Sequence, residues 1–151
     1  MPATPVTIDD LPDLAQDPFA AVGDILRDYN RQFVPADEHV PLCLLARDSV
    51  GKVQGGLRGR TVWGWCFVEL LAVAEPLRGQ GIGSQLLRRA EDLSKARGCV
   101  GVYLTTVAFQ APEFYKRLGY AQFGQLADYP PGFTQHWFAK RFDESSLNRL
   151  V

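Results

Sequence analysis

Cysteine and long apolar runs are both scarce in this sequence, and each scarcity narrows its class. The 151 residues include three cysteines, Cys43, Cys66 and Cys99, none in a Cys-x-x-Cys pair. Each lies in an apolar run, so we expect buried, reduced thiols rather than a disulfide framework or a metal site. No stretch is long enough to span a membrane, and the start lacks the basic and apolar regions of a signal peptide. These features predict a soluble, cytoplasmic protein with no membrane partner.

An excess of positive charge is also missing. The formal net charge is −1, and the sixteen Lys and Arg residues are dispersed. This pattern disfavours a nucleic-acid-binding surface. A composition of 46% hydrophobic and 22% charged residues is typical of a globular domain. We therefore expect one domain over residues 1–151, with its core at about residues 5–142 and a polar tail at 143–151.

Hydrophobic periodicity, glycine and proline divide the chain into strands and helices. Strands are predicted at 5–8, 41–47, 52–62, 65–73, 99–107, 120–126 and 133–142, and helices at 17–35, 82–97 and 112–118, the first capped by Asp17. The three strands of 41–73 form an antiparallel meander, and the helix at 82–97 links a parallel pair. The predicted fold is α/β with a mixed, mostly antiparallel sheet and flanking helices.

A glycine-rich loop between the strand at 65–73 and the next helix is the strongest local signal. It reads Arg78-Gly79-Gln80-Gly81-Ile82-Gly83-Ser84. Backbone amides of such a loop converge on an anion at the helix N-terminus, which predicts a pyrophosphate site. A P-loop is disfavoured because no lysine follows Gly83. A dinucleotide fingerprint is disfavoured by the glycine spacing and by the missing carboxylate after strand 99–107.

Two motifs, taken together, resemble the GCN5-related N-acetyltransferase (GNAT) family. The first is the glycine loop after Leu71-Ala72-Val73, and the second is residues 111–120, a short helix that carries Tyr115 and ends in Gly119-Tyr120. The resemblance implies acetyl-CoA as cofactor and a splayed central parallel pair. It also implies that Leu71 and Val73 offer backbone groups to the pantetheine. The pyrophosphate would then lie on the loop amides, from Arg78, Gly79, Gln80 and Gly81 to Ile82, Gly83 and Ser84.

The same resemblance makes Tyr115 the candidate general acid for the departing thiolate, although a core aromatic is the alternative. Glu69 is the candidate base, or it orients a water or binds an ammonium group. Strand alternation places Glu69 on one face with Phe67, Leu71 and Val73, while a solvent-facing glutamate is the plainer interpretation. The family often has an asparagine where this chain has Ala108, and we expect Gln110 to supply that contact.

The acceptor is less well indicated. Five side chains are candidates for its pocket or for ordinary packing: Trp63, Trp65, Phe109, His136 and Trp137. Arg58 and Arg60 either meet an acidic acceptor or are solvated. The sequence thus predicts an N-acetyltransferase that acts by direct attack on a primary amine, of a small molecule or a peptide. The alternatives are a non-catalytic acyl-CoA sensor and a nucleotide-binding module. A homodimer would use the sheet edge predicted at 133–142.

Overall fold

The protein is described here from a computed structural model covering residues 5–9, 18–36 and 38–142. The chain divides into two compact units between residues 37 and 38. Asp17, the predicted helix cap, and the predicted tail at 143–151 lie outside the described residues. The larger unit carries both sequence motifs, so it contains the candidate site.

The described part of the smaller unit consists of residues 5–9 and one helix, α1 (Phe19–Asn30). Residues 5–9 form no strand, so the strand predicted at 5–8 is wrong: Pro5 cannot donate a ladder hydrogen bond. Pro18 is the N-cap of helix α1, and its fixed φ suits a helix start. Two ion pairs, Asp24–Arg27 and Asp28–Arg31, lie on the polar face of the helix. None of the α1 side chains is buried.

The larger unit is built on one six-stranded sheet with flanking helices. Its strands are β1 (Val40–Arg47), β2 (Val53–Val62), β3 (Trp65–Val73), β4 (Gly101–Val107), β5 (Ala121–Ala127) and β6 (Thr134–Arg141), and its helices are α2 (Ile82–Ala96) and α3 (Pro112–Arg117). The strand order is β1-β2-β3-β4-β6-β5, and every pair except β3–β4 is antiparallel. The predicted α/β fold with a mixed, mostly antiparallel sheet is confirmed.

The parallel pair β3–β4 is joined along only part of its length. Residues Trp65–Val68 pair with Gly101–Leu104, and beyond them the two strands have no ladder between them. Helix α2 connects the pair and buries Leu86, Leu87 and Ala90 against the core of the sheet. The central pair is therefore splayed, as predicted, with a gap between the carboxyl halves of β3 and β4.

The sheet edge predicted at 133–142 is wrong. Strand β6 pairs with β4 on one side and with β5 on the other, so its backbone groups are used on both sides. The chain reverses after β5 and inserts β6 between β4 and β5, an order that the sequence pattern alone does not specify. The outer strand at this end of the sheet is β5.

The cysteines only partly match the expectation of three buried thiols. Cys66 is fully buried and Cys99 is half-buried, and burial raises the pKa of both thiols. Cys43 is exposed, which corrects the prediction for that residue. Strand β1 pairs only with β2 among the described residues, and its alternation buries Leu42 while Cys43 points to the opposite face.

Candidate active site

The glycine loop folds as an open row of amides at the start of α2. Gly79 and Gly81 have φ of +77° and +80°, in the left-handed region that favours glycine. The Arg78 amide is already used by Glu75 O (3.2 Å), whereas the amides from Gly79 to Ser84 donate to no backbone carbonyl of the described residues. Six amides therefore remain available to an anion, one fewer than the sequence analysis predicts.

The edge of β3 that faces the gap also presents unused backbone groups. Ala74 N donates to Gln54 O in β2 (2.8 Å). Because the backbone N–H and C=O groups of a strand alternate in direction, those of Ala72 also point to β2, and those of Leu71 and Val73 point into the gap. Val73 O accepts a hydrogen bond from Arg78 Nε (3.1 Å), which ties the strand end to the loop. The backbone groups of Leu71 and the Val73 N–H thus face the gap unused, whereas Val73 O is already bonded to Arg78 and Ala72 can contribute only its side chain.

Tyr115 lies on α3 at the other side of the gap, and its ring is 7% exposed. It packs against Phe114, Tyr120 and Phe138, so the core-aromatic interpretation describes its ring correctly. Burial raises the pKa of its phenol to about 12. The side chain therefore stays protonated at neutral pH, as a proton donor must be.

Gln110 closes the turn between β4 and α3. Its Oε1 accepts hydrogen bonds from Val107 N (2.8 Å) and Thr106 Oγ1 (3.3 Å). Its oxygen is therefore committed to the turn, and only its amide donors are available to a ligand. Thr106 Oγ1 in turn accepts from Ala111 N (3.4 Å), which fixes the start of α3.

Loop, strand edge and tyrosine helix line one cleft of about 700 Å³. Of the predicted binding residues only Gln80 is not on its surface, because its side chain turns back to Pro76 O (3.3 Å). A Cβ at Gly83 would lie 3.3 Å from the Phe114 ring, so that ring would have to shift by a few tenths of an ångström to admit a side chain. The cleft also has four lining residues that the sequence analysis did not predict as ligands: Leu77, Ala111, Phe114 and Arg117. The spacing of Phe114 and Arg117 on one helical face is the signal that could have identified them.

Glu69 lies on the opposite face of the sheet from Tyr115. A β-bulge interrupts the β2–β3 register: Arg58 pairs with Leu70 and Gly59 with Val68, so Glu69 has no partner. The bulge reverses the alternation, and Leu71 packs towards the core while Glu69 contacts Arg58 and Arg60. The prediction that Glu69 shares a face with Leu71 and Val73 is therefore wrong.

A second carboxylate, Glu91 of α2, is buried, although its place in the sequence pattern indicates a solvent-facing residue. It is 6% exposed and accepts hydrogen bonds from Tyr120 Oη (3.0 Å) and Lys140 Nζ (3.2 Å). Tyr120 N also donates to Tyr115 O (3.1 Å). This buried cluster therefore fastens the end of the tyrosine helix to α2 and β6.

The five aromatic candidates for an acceptor pocket do not form one site. Phe109 lines the 700 Å³ cleft. Trp63 and Trp65 line a separate apolar pocket of about 440 Å³ with Tyr103 and Phe123. His136 and Trp137 line neither of these two pockets, and the His136 ring contacts the Phe138 ring.

Membrane-spanning helices and metal-binding clusters are both absent from the described residues. No described helix is long and apolar enough to cross a membrane. The described His, Cys, Asp and Glu side chains form no group of three that could hold a metal ion.

Comparison with known proteins relates the whole architecture to one family. The family model described as Acetyltransferase (GNAT) family matches residues 8–120. An acetyltransferase of Agrobacterium fabrum is 38% identical over 122 residues, 81% of this chain and 89% of the relative. A blasticidin-S acetyltransferase of Streptomyces morookaense is 45% identical over 91 residues, 60% of this chain and 67% of the relative.

A solved structure agrees. The crystal structure of an acetyltransferase from Bacillus cereus superposes with a TM-score of 0.81 at 31% identity, covering 90% of this chain and 97% of that one. The family match covers most of the chain and includes both the glycine loop and the tyrosine helix. This protein is therefore an acetyltransferase of the GNAT family.

Proposed function

We propose that the protein transfers the acetyl group of acetyl-CoA to a primary amine of a small molecule, by direct attack in a ternary complex. The observation that carries the proposal is the cleft in which the unpaired loop amides, the open edge of β3 and Tyr115 meet. A phosphate-bearing, amide-rich, extended donor matches these three features. Arg78 and Arg117 add positive charge to the same cleft.

Each part of the site has one task. The amides of residues 79–84 hold the pyrophosphate, and the gap-facing groups of Leu71 and Val73 align the pantetheine. Bound acetyl-CoA supplies an acetyl thioester. As the neutral amine forms the C–N bond, the C–S bond breaks and Tyr115 protonates the departing sulfur, while the nitrogen releases one proton to solvent and the Tyr115 phenolate regains one from solvent. The protons balance, and the products are an acetamide and free CoA thiol.

Glu69 acts in this scheme by orienting the acceptor rather than by taking its proton. Its carboxylate oxygens already accept hydrogen bonds from two guanidinium groups. It lies where the β3–β4 ladder ends, beside the gap, on the face opposite the tyrosine helix. Donor and acceptor would then approach the gap from opposite faces of the sheet.

A thiol-release assay with acetyl-CoA over a panel of small-molecule amines, peptides and lysine derivatives tests this function. Blasticidin S belongs in the panel because of the similarity to an enzyme named for it. We expect turnover with small amines, and calorimetry should show that the protein binds acetyl-CoA in preference to NAD or ATP. Tight acetyl-CoA binding by calorimetry without turnover across the panel would favour the non-catalytic acyl-CoA sensor instead.

A further inference from the structure

The cluster around Glu69 holds more positive charge than its carboxylate neutralises. Arg58 Nε donates to Glu69 Oε2 (3.2 Å), and Arg60 Nη1 donates to Glu69 Oε1. Neither arginine has a second acidic partner among the described residues. Two guanidinium groups share one carboxylate, so the cluster carries one net positive charge.

Several donors of this cluster are also unused. The Arg58 side chain is 64% exposed, and neither of its Nη groups makes a hydrogen bond within the described residues. Arg60 Nε is buried and has no partner. Because a guanidinium binds carboxylate through paired N–H groups, the exposed Nη groups of Arg58 match a planar anion.

The surroundings hold the donors in a fixed place near the gap. The Arg60 guanidinium lies over the Phe67 ring, 5.2 Å from its centroid, and Phe67 stacks on Tyr103 at 4.8 Å. Arg58 and Arg60 lie on β2, opposite the end of the β3–β4 ladder. An anion on these donors would lie on the Glu69 face of the sheet, one strand away from the gap between β3 and β4.

We propose that Arg58 and Arg60 form a carboxylate subsite, so that the preferred acceptor is an amino carboxylate, with Glu69 holding the two guanidinium groups in register. This inference rests on the acetyltransferase function proposed above and specifies its acceptor. The net positive charge of the cluster also disfavours the ammonium form of the nearby amine, which keeps the nucleophile neutral.

The experiment compares amino acids with their carboxamides as acceptors at one pH below about 9, and each kcat/KM is referred to the fraction of the amine that is neutral at that pH. The series includes α-amino acids and β-alanine. We expect the carboxylate to be preferred in kcat/KM by roughly ten- to a hundredfold, the range for hydrogen bonds to charged groups. Arg58→Gln and Arg60→Gln should each reduce this preference through the acceptor KM, and Arg58→Lys should restore part of it.

Arg47→Gln is the matched control, because Arg47 is exposed on β1 and its side chain donates to Gly51 O (2.8 Å) rather than to a carboxylate. It should leave the preference unchanged. Equal use of acid and amide by the unaltered protein would overturn the proposal, as would an equal loss on both in Arg58→Gln.

A binding measurement separates this proposal from the proposed function. The Arg58 and Arg60 Nε–H signals of ¹⁵N-labelled protein are followed while β-alanine or β-alaninamide is added. We expect shifts with β-alanine only. Shifts without turnover would contradict the enzymatic function and leave the subsite standing, whereas turnover without shifts would contradict the subsite.

Discussion

Two carboxylates, Glu91 and Glu69, bind cationic side chains on opposite faces of the same sheet. Glu91 does so in a buried cluster and Glu69 in a more exposed one. Glu91 is 6% exposed and its acceptors are taken by one lysine and one tyrosine. The Glu69 side chain is 25% exposed and faces two arginines, which retain free donors. The first cluster is closed in charge and in hydrogen bonds, so it can only hold the fold. The second is open in both respects, so it can bind a ligand.

Tyr115→Phe gives the largest expected effect, because it removes a proton donor on the closed face without disturbing packing. We expect kcat to fall by roughly 10²- to 10⁴-fold, the usual contribution of general acid catalysis. Steady-state kinetics measure the loss. Tyr120→Phe is the control, since its hydroxyl binds Glu91 and does not line the cleft. An equal loss in both variants would mean that Tyr115 only positions α3.

Glu91→Ala should destabilise the protein by about 2–3 kcal/mol, because the buried Tyr120 hydroxyl loses its hydrogen-bond acceptor and Lys140 loses its ion-pair partner. This is below the usual cost of breaking a buried ion pair because the Lys140 side chain is 31% exposed and can reach water. Urea unfolding measures it. Glu69→Ala should cost less than about 1 kcal/mol. Similar losses in the two variants would remove the distinction between the clusters.

The pH dependence of stability should show the burial of Tyr115. Its pKa is about 12 in the folded protein, against 10.0 for a free tyrosine. Below pH 10 both states keep the proton, so this contribution is fully present. Between pH 10 and 12 the unfolded chain loses the proton first, and the free energy of unfolding falls by about 2–3 kcal/mol. Between pH 10 and 12 the free energy of unfolding should therefore fall less steeply with pH in Tyr115→Phe than in the unaltered protein, as unfolding curves at several pH values will measure. An identical pH dependence in the two proteins would contradict this prediction.

The smallest effect concerns the open cluster itself. A double-mutant cycle on Arg58 and Glu69, with each changed to Ala, should give a coupling of about 0.2–1 kcal/mol that weakens with added salt. Thermal unfolding at low and high ionic strength measures it. A larger, salt-independent coupling would show that this pair is a structural element like Glu91–Lys140.

Local sequence signals predict most of the fold. The turn around Trp63 and Gly64, Pro112 at the start of α3 and the glycine loop fix where β3, α2 and α3 begin or end, and the structure follows them closely. Strand order is not a local property, which is why the insertion of β6 between β4 and β5 was missed. The prediction at 5–8 failed for lack of a partner strand among the described residues.

The predicted placement of backbone groups agrees with the structure and the predicted placement of two carboxylates does not, while the ligand and catalytic roles of these residues stay predictions. The loop and the gap-facing edge of β3 follow from glycine spacing and alternation. One extra residue in β3 reversed that alternation at Glu69, and no composition rule marks such a bulge. The burial of Glu91 depends on Tyr120 and Lys140, which arrive from distant parts of the chain.

The splayed ladder has a mechanical consequence. Strands β1–β3 and β4–β6 form two half-sheets, and only Trp65–Val68 and Gly101–Leu104 join them directly. Helix α2 bridges the two halves above this short seam. A donor lying in the gap would extend the seam with its own hydrogen bonds, so the ligand completes the sheet as a missing strand would. Amide exchange along the carboxyl halves of β3 and β4 is then the natural measure of how rigid the seam becomes.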